Sequence, residues 1–338
     1  MATTLRKPPA SKAIVHKPSA GHLSATVPDM SIAKRYISRT VNGVVDYEIL
    51  DAAMEHHMNV LIEGPTGPGK TMFSRAYAAS RKRPFYRLPS NVGFDPSQFF
   101  GRYVPDGKGS YVWIDGPVTV LAKHGGILLV NEINFLPDRV ATVLFGLLDD
   151  SREIILLDHE NEVVKAHPEL LIVADMNPDY QGTRQLNAAL RNRFEVQLFW
   201  DYDPEVEKQL IKSPVLRELI IDLRKSVASD VFRTPISTNM AMELEKVCGV
   251  LGYDFAVNNF VNHFAEDERE AVGRIFEASR DKLAKTMPKP KETEEQKTLR
   301  RSRMKQGDFD PEFGVLGTDW IWDEDDEEDL EAIDNDNN

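Results

Sequence analysis

One cysteine, Cys248, is all that 338 residues contain. An intrachain disulfide is therefore excluded. A lone thiol inside an apolar helical segment reads as a small buried hydrophobe in a reducing compartment. No histidine joins it at zinc-ligand spacing. His56 and His57 are adjacent on a predicted helix, point in different directions and read as structural or solvent-facing. Long apolar runs are missing too. No stretch nears the roughly 20 residues of a membrane helix, so no membrane partner is expected. The opening residues lack an apolar leader core, and the expected location is cytoplasmic. Their basic, Ser-, Thr- and Pro-containing composition has a faint likeness to an organelle transit peptide, but the prolines oppose the amphipathic helix that role needs. Positive charge is in deficit: 41 Lys and Arg against 54 Asp and Glu give a formal net charge of −13. Most of the deficit lies in Asp323-Glu-Asp-Asp-Glu-Glu-Asp329 and its neighbours. Such a block repels itself, and serves either as a solubilising tail or as a docking tail for a basic partner. The remainder, 41% hydrophobic and 28% charged over the whole chain, fits a soluble globular protein with one large or two modest cores.

Against that background one motif dominates. Gly64, Pro65, Thr66, Gly67, Pro68, Gly69, Lys70 and Thr71 read G-x-x-x-x-G-K-[ST], the phosphate-binding loop of nucleotide hydrolases. The glycines let the backbone turn its N–H groups inward on an anion. Lys70 is placed to neutralise the β and γ phosphates, and Thr71 to give its hydroxyl to Mg²⁺. Met72 opens the helix-favouring run to Ala79, whose positive dipole end faces the phosphates. Asn59–Glu63, a short apolar run, reads as the strand ahead of the loop. Strand, glycine-rich loop and helix are the order this chemistry needs. The expected ligands are ATP and Mg²⁺; nothing reads the base clearly, so GTP stays open.

Three further segments complete a site. Ile127-Leu-Leu-Val-Asn131-Glu132 is an apolar strand with a polar end. In phosphate-loop ATPases that end is Asp-Glu, the Asp holding the metal's water shell and the Glu polarising the attacking water. Glu132 is the expected catalytic base. Asn131 can accept from a metal-bound water but brings no charge, so weaker metal coupling and slower turnover are expected. Leu170-Leu-Ile-Val-Ala-Asp-Met-Asn177 is a third buried strand whose terminal amide, Asn177, is placed to orient the water without titrating. Arg193, and as second choice Arg191, end a helix from which a guanidinium can cross a subunit boundary to the γ phosphate.

The chain divides by pattern. Residues 1–31 read as a mobile basic arm and 32–200 as an α/β core, with Ile32 to Met58 helical. Strands are expected at 59–63, 84–88, 127–131, 154–157, 170–174 and 195–199. Alternating strands and helices imply a parallel sheet with helices on both faces. Residues 201–280 read as an all-α lid built on 203–212, 214–229, 237–251 and 254–279. Residues 281–338 read as a charged, largely disordered tail holding an apolar island from Phe309 to Trp322.

With those residues assembled, the chain resembles an AAA+ ATPase, most closely the helix-2-insert group of MoxR, CbbQ/NorQ, CobS-like and dynein-related ATPases. The resemblance spans about residues 32 to 275. It rests on Gly101-Arg-Tyr-Val-Pro-Asp, Asp115-Gly-Pro-Val, Gly125-Gly-Ile-Leu-Leu, Asn131-Glu-Ile-Asn134, Met176-Asn-Pro-Asp-Tyr-Gln-Gly-Thr183 and Leu190-Arg-Asn-Arg-Phe194. It implies a homo-oligomeric ring, commonly a hexamer, with ATP between subunits, remodelling a protein client. Some relatives work with von Willebrand A domain proteins, and no such domain is read here. The resemblance puts an insert at 99–118, with Tyr103, Tyr111 and Trp113, and a β-hairpin at 151–167. Two departures stand out. Asn131 replaces the Asp, and Asn239 stands where a lid helix often carries a phosphate-sensing Arg, with Arg233 near but wrongly spaced. They motivate an alternative: a nucleotide-binding scaffold with little or no hydrolysis. A nucleic-acid motor is the third reading. Basic residues at 1–35 and 297–305 favour it; the missing aromatic-interleaved binding fold and the acidic tail oppose it.

Overall fold

The computed structural model describes residues 26–90, 95–136, 138–177 and 186–290. Most of the basic arm, the stretch 178–185, the apolar island, the basic run 297–305 and the acidic block lie outside the described residues. Five parallel strands form the central sheet: β1 (Val60–Glu63), β2 (Phe85–Pro89), β3 (Gly126–Asn131), β4 (Leu170–Met176) and β5 (Val196–Phe199). Their spatial order is β5-β1-β4-β3-β2.

The two strands β3 and β4 are buried along their whole length. That is why their sequences run apolar without alternation: a parallel strand covered on both faces has no solvent side. Period-two geometry still sorts their side chains. Leu128, Val130, Ile172 and Ala174 enter one core with Leu121, Leu144 and Leu147. Ile127, Leu129, Leu171 and Val173 enter the other with Phe73, Tyr77 and Trp200. The second face carries the helix Lys70–Arg81.

The segment read as one helix from Ile32 to Met58 is broken. A helix at Met30–Arg35 leads to a two-stranded hairpin, Thr40–Val41 with Val44–Val45, and then to a helix at Asp46–Glu55. Asn42 and Gly43 form the turn at φ 51° and 85°. Asn-Gly is the pair that tolerates two left-handed residues in succession, and it overrides the helical apolar period. Asp46 at the next helix start is fully buried and accepts from the Tyr36 and Ser38 hydroxyls and from the Arg39 and Tyr47 N–H groups. Burial against that carboxylate pushes the Tyr36 hydroxyl far above its ordinary pKa. His56 and His57 are exposed in the turn after this helix rather than on it.

The strand expected at 154–157 forms, but outside the sheet. Glu153–Leu156 pairs antiparallel with Glu162–Lys165 as a separate hairpin. A second hairpin, Gly101–Pro105 with Tyr111–Asp115, occupies the expected insert. The Trp113 ring stacks on His159 at 4.6 Å, and the Tyr103 hydroxyl meets His159 Nδ1 at 3.1 Å. Tyr103 and Trp113 thus join the two hairpins, while Tyr111 is 68% exposed.

No described residue beyond Phe199 is in a strand. Six helices follow, Pro204–Leu210, Pro214–Ala228, Thr238–Leu251, Tyr253–Val261, Glu266–Ala278 and Arg280–Thr286. Their apolar faces share a separate core running from Ile211 to Met287, in which Cys248 is buried. The run expected as one helix over 254–279 is two, turned at residues 262–265. The helical part also passes residue 281, where a charged tail was expected, because Leu283 and Met287 are buried in the same core.

Candidate functional site

The loop between β1 and the helix Lys70–Arg81 is held from both sides. Its first residue, Gly64, donates to Met176 O of β4 at 3.2 Å. A Cβ at Gly64 would lie 1.9 Å from Trp200 O, so no other residue fits there. Gly69, at φ 98°, turns the chain into the helix in a conformation that L side chains avoid. Gly67, at φ 87°, packs on Ser237, the residue that caps the helix Thr238–Leu251. The Tyr202 hydroxyl donates to Thr66 O at 2.8 Å. Arg39 donates to Pro68 O at 2.9 Å and to Asp201 O at 2.8 Å, its guanidinium lying over the Trp200 ring.

Lys70 is 7% exposed. Its ammonium donates to Gly64 O at 2.7 Å, Pro65 O at 2.5 Å and Asn177 Oδ1 at 2.6 Å. Burial pushes its pKa down to about 8, against the pull of the nearby carboxylates of Asp175 and Glu132. Asn177 faces two ways: its oxygen accepts from Lys70, and its amide nitrogen is 3.5 Å from Glu132 Oε1. The backbone at Glu132 has φ 55°, uncommon for a residue with a side chain. It sets Glu132 at the end of β3 with its N–H donating to Asp175 Oδ1 at 2.7 Å.

Thr71 Oγ1 lies 3.2 Å from Asn131 Oδ1 and 3.1 Å from Asp175 Oδ2. Asp175 is 2% exposed, and desolvation raises its carboxyl above the ordinary range. Sequence reasoning passed over this residue. The available signal was a carboxylate inside an otherwise apolar strand, two positions before Asn177 and so on the same face as it. Thr71, Asn131 and Asp175 together present hard oxygen donors of the kind magnesium takes. Magnesium characteristically uses one or two carboxylates and completes its shell with water and phosphate oxygens. Among the described residues no group of three or more acidic, His or Cys side chains could hold a metal by itself.

Gly64 to Met72, Asn131, Glu132 and Asn177 therefore stand together at the C-terminal ends of β1, β3 and β4. The two arginines are each already paired with a carboxylate of this chain. Arg191 pairs with Glu63, the last residue of β1. Arg193 pairs with Asp149, donates to Ala189 O at 2.7 Å and lies over the Phe145 ring. Asn239 is exposed on the first turn of its helix. Arg233 is bound to Asp267 and Glu268 of the helix Glu266–Ala278. Arg224, which the sequence did not single out, grips Glu207 through two nitrogens at 2.8 and 2.9 Å and lies 3.5 Å over the Tyr202 ring.

The state of Lys70 has a measurable consequence. Above about pH 8 a fraction of the amines is neutral, and a bound triphosphate favours the charged form. Nucleotide uptake at about pH 9 is expected to draw protons from the buffer, and at about pH 6.5 to draw almost none. Titration calorimetry in two buffers of different ionisation enthalpy reads this directly. Equal heats in both buffers at the higher pH would show that Lys70 is not the group so described.

Strand order, loop and strand ends together define a P-loop nucleoside triphosphatase core, which the six helices after Phe199 follow. The AAA domain family (dynein-related subfamily) matches residues 59–194. The chain is 31% identical over 240 residues to an uncharacterized protein of Staphylococcus epidermidis, covering 66% of this chain and 90% of that one. It is 32% identical over 235 residues to an uncharacterized protein of Staphylococcus aureus, covering 65% and 89%. The crystal structure of NtrX from Brucella abortus in complex with ADP matches at 16% identity with a TM-score of 0.38, covering 77% of this chain and 58% of that one. The chain belongs to the AAA family.

Proposed function

We propose that this protein binds Mg·ATP, hydrolyses it, and spends the energy remodelling a partner protein. The observation that carries this reading is the single amide of Asn177 reaching both Lys70 and Glu132. It ties the group that neutralises phosphate to the group that activates water. Glu132 takes the proton of the attacking water, and Asn177 holds that carboxylate in line without competing for the proton. Lys70 exchanges its carbonyl partners for phosphate oxygens. Thr71, Asn131 and Asp175 are the residues that would hold magnesium, which would supply positive charge against the phosphates. Arg193, with Arg191 as second choice, completes the pocket of a neighbouring copy in a homo-oligomeric ring, a hexamer by the MoxR-type resemblance. Each must leave its present carboxylate, Asp149 or Glu63, to do so. The client is a protein, of which a von Willebrand A domain partner is one form.

Steady-state phosphate release, measured across protein concentration together with sizing in ATP, tests this. Release that rises with assembly supports it. The scaffold alternative is favoured by Asn239, which brings no charge to the lid. It predicts ATP-dependent assembly with no release at any magnesium or protein concentration.

A further inference from the structure

The neutral Asn131 leaves a charge unaccounted for at the metal position, and the structure shows where a charge stands instead. Residues 131 and 175 lie on neighbouring parallel strands, one step beyond the pair Val130 and Ala174. Each follows side chains that point to the core containing Phe73 and Tyr77: Ile127 and Leu129 on β3, Leu171 and Val173 on β4. Both therefore face the helix that opens with Lys70 and Thr71. A hydroxyl has one proton to give. Thr71 Oγ1 stands 3.1 Å from Asp175 Oδ2 and 3.2 Å from Asn131 Oδ1, and the carboxylate is the stronger acceptor.

Asp175 is otherwise an expensive residue to keep. Its hydrogen bonds come from a backbone N–H and a hydroxyl, both neutral, and Lys70 and Arg87 act on it only through space. A buried carboxylate without a contacting cation costs stability unless a cation is supplied. Resting on the Mg·ATP reading above, we infer that Asp175, rather than residue 131, supplies the negative charge that fastens the water shell of a divalent cation beside the phosphate loop. The charge has moved one strand across the sheet while staying on the same threonine. Asn131 remains as a neutral acceptor on that hydroxyl.

This alters what a substitution at position 131 does. Asn131→Asp alone places a second carboxylate on the Thr71 hydroxyl beside Asp175, and two like charges at such range oppose each other's ionisation. The single change is expected to give no gain in metal coupling. Exchanging the two side chains, Asn131→Asp with Asp175→Asn, keeps one charge and one amide and is expected to restore it.

The test reads nucleotide binding rather than turnover. Affinity for a fluorescent ATP analogue is measured in excess magnesium and in EDTA, and the ratio of the two is compared across variants. Asp175→Asn is expected to lower that ratio by about 10–100-fold, the usual cost of losing a group that orients a metal's shell. Its affinity in EDTA should stay near that of the unsubstituted protein. Asn131→Ala, which removes a neutral acceptor from Thr71 and no charge, should lower the ratio clearly less than Asp175→Asn does, and the exchanged pair should recover it. A ratio unchanged in Asp175→Asn, or lost in Asn131→Ala, overturns the inference while leaving ATP binding standing. If Asp175→Asn fails to fold, Asn131→Ala and the exchanged pair still decide. If the unsubstituted protein takes up no nucleotide in either condition, the Mg·ATP reading falls and this inference with it.

Discussion

Lys70→Ala is expected to lower ATP affinity by about a hundredfold or more. The ammonium is already stripped of most of its water and held among Gly64 O, Pro65 O and Asn177 Oδ1. Little solvation is left to lose when phosphate arrives. Hydrogen bonds to charged groups contribute about 1.5–3 kcal/mol each, and each 1.4 kcal/mol is about tenfold in affinity. Two such bonds to phosphate oxygens account for the expected loss. Titration of a fluorescent ATP analogue into folded protein measures it, with the thermal midpoint as a check on the fold. Affinity within about threefold of the unsubstituted protein would remove the ground for placing phosphate at this loop.

Glu132→Gln is expected to separate binding from chemistry. Loss of a positioned general base costs about 10²–10⁴ in rate. Glutamine keeps the size of the side chain and an oxygen for the Asn177 amide, so affinity should change little. Single-turnover phosphate release and equilibrium binding on the same preparation give both numbers. Release that persists at the original rate would clear Glu132 of the role. Loss of affinity together with rate would make the residue a structural member of the site. A variant that binds ATP without turning it over would hold the proposed assembly in one state, so a pull-down with Glu132→Gln tests for the proposed client.

Most of the catalytic end of the sheet was legible in the sequence because it is encoded locally. Five of the six strands expected for the core form the sheet; β1, β3 and β4 are buried and read as apolar runs, while the edge strands β2 and β5 carry Arg87 and Gln197. The phosphate loop was legible because a tight anion-cradling turn needs glycine at fixed spacing. What was missed depends on neighbours in space. Asp175 looked like one polar residue in an apolar run; only pairing of β4 against β1 and β3 brings it to Thr71 and Glu132. The Asn42-Gly43 turn was visible but outweighed by a helical apolar period, although two left-handed residues in a row end any helix. Glu153–Leu156 had strand character without a period that names its partner; the hairpin expected at 151–167 from the family resemblance is the one that forms. The arginines were read for what a guanidinium can do across a boundary; within the chain each already has a carboxylate, Glu63 or Asp149.

Gly67 against Ser237, and the Tyr202 hydroxyl on Thr66 O, put the helical part in direct touch with the turn that would receive phosphate. There is no slack between them: a side chain at position 67 would already collide. An adjustment of this turn toward Ser237 would press on the first turn of Thr238–Leu251. Through the Arg224 grip on Glu207 and Ile236 O, that pressure would also load the helices on either side. Close-packed contacts of this kind switch between arrangements rather than stretch. The bundle would then follow the turn like a pawl on a tooth.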